Sequence, residues 1–177
     1  SSGLTLLHKV CQLNSVNCFN RLVNLGAEIN YKNNAGETPF YHLCRYGEGD
    51  MELFERFVEL GAADLNSKNF HVACWVNSTR FVDRFLELGV DVNVKSESGE
   101  TALFICINSY SSEIFEKLIE SGADVNIVSS NGNTLMHVAC RARKLNILQR
   151  LIDLKCIHIN SKNENDETPL QILLQES

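Results

Sequence analysis

Three places in this 177-residue chain set a histidine three residues before a cysteine: His8 and Cys11, His71 and Cys74, His137 and Cys140. On a helix, positions i and i+3 lie on the same side, so each pair has the spacing of two metal ligands or of a Cys–His nucleophile and base. A catalytic site needs to occur only once, and this pairing recurs, which is what a structural role predicts. A second grouping is acidic: Glu97, Glu100, Glu164, Asp166 and Glu167. Two neighbouring carboxylates can divide general acid and base work, and a solvated surface gives the same composition. No Gly-x-Gly-x-x-Gly or Walker-type lysine loop is present. These residues therefore identify no catalytic, metal-binding or cofactor-binding set, and no enzyme is expected.

The elements that position these residues emerge from the cysteines. Cys11, Cys44, Cys74, Cys106 and Cys140 recur at separations of 33, 30, 32 and 34 residues. Equivalent positions in stacked helices lie roughly 8–10 Å apart, whereas a disulfide needs Cα atoms within about 7 Å. Small, buried, reduced thiols are expected, and with them a cytoplasmic or nuclear location. The net charge of −6 and the lack of a basic run argue against nucleic acid as partner. No apolar run reaches bilayer length, so direct membrane insertion is not expected.

Two segments repeat. One reads Leu25-Gly26-Ala27-Glu28-Ile29-Asn30, then Leu60-Gly61-Ala62-Ala63-Asp64-Leu65-Asn66, Leu88-Gly89-Val90-Asp91-Val92-Asn93 and Ser121-Gly122-Ala123-Asp124-Val125-Asn126, with a weaker copy over 154–160. The other reads Gly36-Glu37-Thr38-Pro39-Phe40, Gly99-Glu100-Thr101-Ala102-Leu103, Gly132-Asn133-Thr134-Leu135-Met136 and Asp166-Glu167-Thr168-Pro169-Leu170, opened by Gly3-Leu4-Thr5-Leu6-Leu7. Threonine caps a helix and proline suits its first turn. Apolar residues such as Phe81, Val82, Phe85 and Leu86 follow helical spacing, and the glycine ends the second helix. Cys156 is read at the place where that glycine normally stands.

This pattern resembles the ankyrin repeat, over almost the whole chain. The resemblance implies an all-α solenoid of stacked helix-turn-helix pairs with short hairpin loops, built as a single domain over 1–177. The repeats are placed at about 3–33, 34–69, 70–96, 97–129, 130–163 and a partial unit at 164–177. In the family pattern Thr-Pro-Leu-His-x-Ala-Ala, histidine ties adjacent loops and cysteine here replaces alanine. The leading Ser1-Ser2-Gly3 looks like an expression remnant, and the end at Ser177 suggests a piece of a longer protein. Nineteen asparagines suggest an AT-rich coding genome.

The third repeat is irregular. Ten residues separate Asn30 from Phe40, but four separate Asn66 from Phe70, so six residues of hairpin and Thr-Pro cap are absent. A poorly capped helix from about Asn69 and a gap in the row of hairpin fingers are expected. The second repeat carries the opposite change, extra residues at Gly47-Glu48-Gly49-Asp50. The gap is either drift in a tolerant loop or a notch that shapes a partner site. Trp75, the only tryptophan, favours the notch.

Matching positions to the family gives the expected partner contacts: Asn34, Glu37, Arg45, Tyr46, Trp75, Glu97, Glu100, Asn131, Asn133 and Arg141. The resemblance implies a monomeric protein-protein interaction module with a concave groove, as a regulatory or adaptor region of a larger protein. The alternatives are a short IκB-like inhibitor of a transcription factor and a recognition domain attached to an enzyme elsewhere. The acidic fingertips suggest a partly basic partner segment. The hairpin asparagines Asn30, Asn66, Asn93 and Asn126 serve either turn hydrogen bonds or, as in many family members, hydroxylation.

Overall fold

The computed structural model describes residues 2–109 and 111–175; Ser1 and Ser177, named above, lie outside them. Eleven α-helices and no strand occur among the described residues. The chain divides into two compact units, Ser1–Val90 and Asp91–Ser177. In the first, three helix pairs follow one another: α1 (Leu6–Gln12) with α2 (Val16–Asn24), α3 (Pro39–Tyr46) with α4 (Met51–Glu59), and α5 (Ser67–Trp75) with α6 (Thr79–Glu87). The first helices stack, α1 on α3 and α3 on α5. The second unit holds α7 (Ala102–Asn108) with α8 (Ser112–Glu120), α9 (Leu135–Arg141) with α10 (Leu145–Asp153), and α11 (Pro169–Gln175). There α9 packs between α7 and α11. Each unit is a short all-α solenoid.

Such helices, seven to nine residues long, are marginal alone and depend on packing. In the first unit phenylalanine provides it. Phe19, Phe40, Phe54, Phe57, Phe70, Phe81 and Phe85 are all fully buried. Their rings form a connected series, with centroids 4.8 Å apart for Phe19 and Phe57, 5.0 Å for Phe40 and Phe57, and 5.1 Å for Phe54 and Phe81. Phe85 closes it against Phe54 at 5.3 Å and Phe70 at 5.8 Å. Tilted and edge-on pairs at these distances add about 0.5–1.5 kcal/mol each beyond area burial.

The second helices end as the repeated glycines suggest, with the following N–H returning to a helix carbonyl, as Ala62 does to Phe57 at 2.8 Å. The fifth copy corrects one expectation. Lys155, not Cys156, takes the glycine place, with φ of 57°. Cys156 fills the buried alanine place after it, and its N–H bonds to Leu151 O at 3.0 Å. The register of Cys106 also differs: it lies one position earlier after its threonine than Cys11, Cys44 and Cys140 do after theirs.

Four fingers share one closing bond: Asn33 N–H to Glu37 O, Ser96 to Glu100, Ser129 to Asn133 and Asn163 to Glu167, at 2.8–3.0 Å. Successive fingers also touch, through Ser130 N–H to Ser98 O at 2.9 Å and Glu164 N–H to Asn131 O at 3.1 Å. The third repeat has none. A Cβ built on Gly132 would stand 3.0 Å from Asn163 Cα and Glu164 N, whereas one on Gly36 meets nothing within 4 Å. The neighbour that would have crowded Gly36 is the missing finger.

The expected poor cap on the third repeat is not found. Asn66, the residue that ends the hairpin motif elsewhere, becomes the N-cap: its Oδ1 accepts the Asn69 N–H at 2.9 Å. The helix then starts at Ser67 and runs nine residues. Buried Asn69 secures the entry by donating from Nδ2 to Asp64 O at 2.7 Å. Deletion has moved a good capping residue to where a cap was needed. In the second repeat, four residues join α3 to α4 where three join the other pairs, and Asp50 caps α4 through Leu53 N–H at 3.2 Å.

Two outcomes follow. Asn66→Ala lowers stability by about 1 kcal/mol, the usual worth of an N-cap, in urea unfolding. Gly36→Ala and Gly132→Ala both carry the left-handed backbone cost of about 1–2 kcal/mol, and Gly132→Ala lowers the urea midpoint further because a neighbouring finger must move. Equal midpoints for the two would contradict the gap.

Candidate protein-interaction site

The histidines of two of the three histidine–cysteine pairs have structural roles. The Thr5 N–H donates to His8 Nδ1 at 3.1 Å, and the Thr5 hydroxyl lies 2.8 Å from the same atom. Nδ1 is therefore the acceptor, and Nε2–H donates to Glu37 O at 3.0 Å, on the finger of the next repeat. His137 repeats this with Thr134 and with Glu167 O, at 3.1, 2.8 and 3.0 Å. Both ring nitrogens are used in each case. Burial also pushes the thiols of Cys11, Cys44 and Cys140 above their ordinary range, against the nucleophilic thiolate. None of the seven cysteines forms a disulfide. Among the described residues no three His, Cys, Asp or Glu side chains gather as a metal site.

At His8 and His137 the third position after the threonine thus carries a tie from a helix start to the following finger. Down the chain that position holds His8, Tyr41, Phe104, His137 and Gln171, while the third repeat has Lys68 in the threonine place and His71 three residues on. Gln171 keeps the capping half, its Oε1 accepting the Thr168 N–H at 2.8 Å. Phe104 cannot, and the Thr101 hydroxyl is buried without a partner. Tyr41 stands in the repeat just before the missing finger, where a histidine would have no following finger to reach.

Tyr41 instead organises a cation–aromatic cluster. Its hydroxyl accepts from Arg45 Nη1 at 3.1 Å, and its ring carries the Lys68 ammonium 4.7 Å above its centroid. The Arg45 guanidinium also lies over Tyr46 at 5.3 Å and over Trp75 at 5.5 Å. Trp75, the last residue of α5, is 54% exposed and Tyr46 45%. Arg45 next lines a shallow depression of about 200 Å³ with Glu48, Val76, Asn77 and Ser78. The structure thus brings together Arg45, Tyr46 and Trp75 from the expected contacts. Tyr41 and Lys68 were missed. Their signal was the series of third-position residues, in which a tyrosine replaces histidine before a deletion.

The remaining residues have local roles. Glu37 Oε2 accepts from Asn33 Nδ2 at 2.9 Å and from His42 Nε2 at 3.2 Å. Burial opposes its charge, yet these bonds leave its carboxyl below the ordinary range. The exposed Asn34 joins its finger to Ser2 O through its N–H at 3.2 Å. In the second unit, Glu97, Asn131 and Arg141 are exposed. Glu100 accepts from the Ser98 hydroxyl at 3.2 Å. Asn133 is buried, its Oδ1 accepting from Asn163 Nδ2 at 3.1 Å, so it joins two fingers from within. Asp166 pairs with Lys162 at 2.8 Å, and Glu167 accepts from Asn163 at 3.2 Å, so these two acids belong to finger geometry. Asn93 and Asn126 reach the next repeat, accepting from Asp124 N–H at 2.8 Å and Ile157 N–H at 3.0 Å.

Comparison with known proteins agrees with this geometry. A family model described as ankyrin repeats in three copies matches residues 70–166, and a single ankyrin-repeat model matches residues 2–34. The chain belongs to the ankyrin-repeat family, whose repeats are protein–protein interaction modules and in general not enzymes. It is similar to human SH3 and multiple ankyrin repeat domains protein 2, 33% identical over 59% of this chain and 6% of that protein. It is also similar to the variola virus ankyrin repeat protein OPG189, 29% identical over 59% of this chain and 21% of the viral protein. A third relative is the mouse SMC5-SMC6 complex localization factor protein 1, 41% identical over 33% of this chain and 6% of that protein. The match thus covers only a small part of each relative's length. No helix among the described residues is long and apolar enough to cross a membrane.

The histidine ties give a pH dependence. Burial lowers the pKa of His42, assisted by the charge of His8; burial likewise lowers that of His137, although its bond to Glu167 O opposes the shift. Both begin from an ordinary value of 6.5, so below that the unfolded chain takes up more protons than the folded one. Stability is present above about pH 6.5 and is lost as pH falls from there toward the lower folded values. Urea midpoints therefore decline from pH 7.5 to 5.5. At pH 7.5, His137→Ala costs about 1–3 kcal/mol by stripping partners from buried backbone groups.

Proposed function

We propose that the chain binds a partner protein through the fingertips and the C-terminal ends of its first helices, with the site in the first unit centred on Arg45, Tyr46 and Trp75. The observation that carries this reading is the exposure of Trp75. A tryptophan that only filled the space of the lost finger would be covered, and this one leaves more than half its surface to solvent. Tryptophan, tyrosine and arginine are the side chains most enriched among binding hot spots. Their mutual contacts also fix them before a partner arrives, which reduces the entropy lost on binding.

The chain acts on this reading as a regulatory or adaptor region. The human relative carries SH3 and multiple ankyrin repeats by name, and the mouse one is named for localising a complex. Seven cysteines outside any disulfide support a reducing compartment, cytoplasm or nucleus. The acidic tips at Glu97, Glu100 and Glu164 favour basic residues where a partner crosses those fingers.

The test is quantitative capture of partner proteins from the cells that make this chain, using the wild type and a Trp75→Ala, Arg45→Ala double variant. Loss of a specifically captured protein, with a melting temperature within about 4 °C of wild type, is expected. Unchanged capture by a destabilised variant would show that the cluster serves the fold alone.

A further inference from the structure

The cluster beside the missing finger also specifies its partner chemistry, on the premise that it is a binding surface. The negative faces of Tyr41, Tyr46 and Trp75 are already covered by the chain's own cations, Lys68 and Arg45. A cationic ligand brought to these rings would meet the repulsion of Arg45 and Lys68, so a basic side chain is disfavoured here. What the cluster turns outward is N–H. Arg45 carries five donors in a planar fork. One is used by the Tyr41 hydroxyl, and among the described residues Arg45 has no ion-pair partner. Lys68 is exposed and likewise unpaired with a carboxylate.

Two nearby acids enter the balance. Glu37 has its Oε2 engaged by Asn33 in its finger and by His42 on α3; its charge is felt by Lys68 and Arg45, but it forms an ion pair with neither. Glu48 lies at the depression that Arg45 lines but forms no ion pair with it. Neither consumes the fork. A guanidinium clamped by three aromatic side chains loses little freedom when it meets a planar carboxylate, which its geometry matches in bidentate fashion. Lys68, over the ring of the same tyrosine whose hydroxyl Arg45 meets, supplies a second positive group. The exposed Trp75 surface beside Arg45 offers apolar contact.

We infer that this surface, formed where the second repeat meets the fingerless third, docks an acidic protein segment: carboxylates engage Arg45 and Lys68 while an apolar side chain lies on Trp75.

Trp75 is the only tryptophan, so its emission reports on this surface alone. The full chain is used to select from a phage-displayed library of short random peptides that lack tryptophan. Selected sequences are then synthesised and titrated against Trp75 fluorescence. The expected result is enrichment of aspartate and glutamate flanking an apolar residue, with affinity that falls as salt is added. Replacing those acids by their amides, or Arg45→Gln in the protein, weakens binding by at least about tenfold. Arg45→Gln is checked for unchanged melting, and Lys68→Gln, at an exposed position, serves as the second variant. Basic or uncharged peptides that still move Trp75 emission overturn the acidic chemistry while the protein-binding reading stands. Peptides that bind only elsewhere, or none at all, overturn both.

Discussion

No helix pair in this protein can bury its own apolar side chains, and the rest of the structure answers that constraint. Seven to nine residues give a helix two or so turns, too little to persist in water without a neighbour. The neighbour is always the next repeat. In the first unit the cover is a connected series of phenylalanine rings across three pairs. The polar layer follows the same rule, since the helix that His8 caps is tied through that side chain to a carbonyl of the following finger. Stability of this kind is a sum over nearest neighbours.

Loss of six residues from the third repeat removes one term from that sum, and three adjustments surround it. Asn66 changes from hairpin residue to helix cap. Tyr41 stands where a histidine would have nothing to reach, and holds Arg45 instead. Trp75 and Tyr46, at the C-terminal ends of α5 and α3, then flank that guanidinium at an exposed surface. A packing defect has become a preorganised polar and aromatic surface. The phenylalanine series beneath it is intact, so the change is confined to the finger layer.

Much of this was legible in the residues, because several imperfect copies of one motif correct each other. Helix pairs, glycine turns, fingers and the gap all followed from superposing Gly26, Gly61, Gly89 and Gly122 with their surroundings. Where only one copy exists, that correction fails. Lys155 adopts a left-handed conformation that nothing about lysine announces, so the glycine place was assigned one residue late, to Cys156. Asn66 is equally good as hairpin or cap, and only the folded chain shows which bond it makes. Asn133 was placed on the surface by position but is drawn inward by Asn163. Tyr41 carries no mark of its own in the sequence; its ring is buried, and its hydroxyl and its face are what matter.

The ties between repeats point one way, from a helix start to a finger later in the chain, and a ribosome makes the chain in that same direction. The cap on α1 is unfinished until Glu37 has been made, and that on α9 until Glu167. The second repeat waits for no such residue, because Tyr41 closes on Arg45, four positions away. During synthesis the finger layer of the first two repeats is therefore complete as soon as α3 has emerged. The gap marks the point at which a growing chain first owns a finished edge.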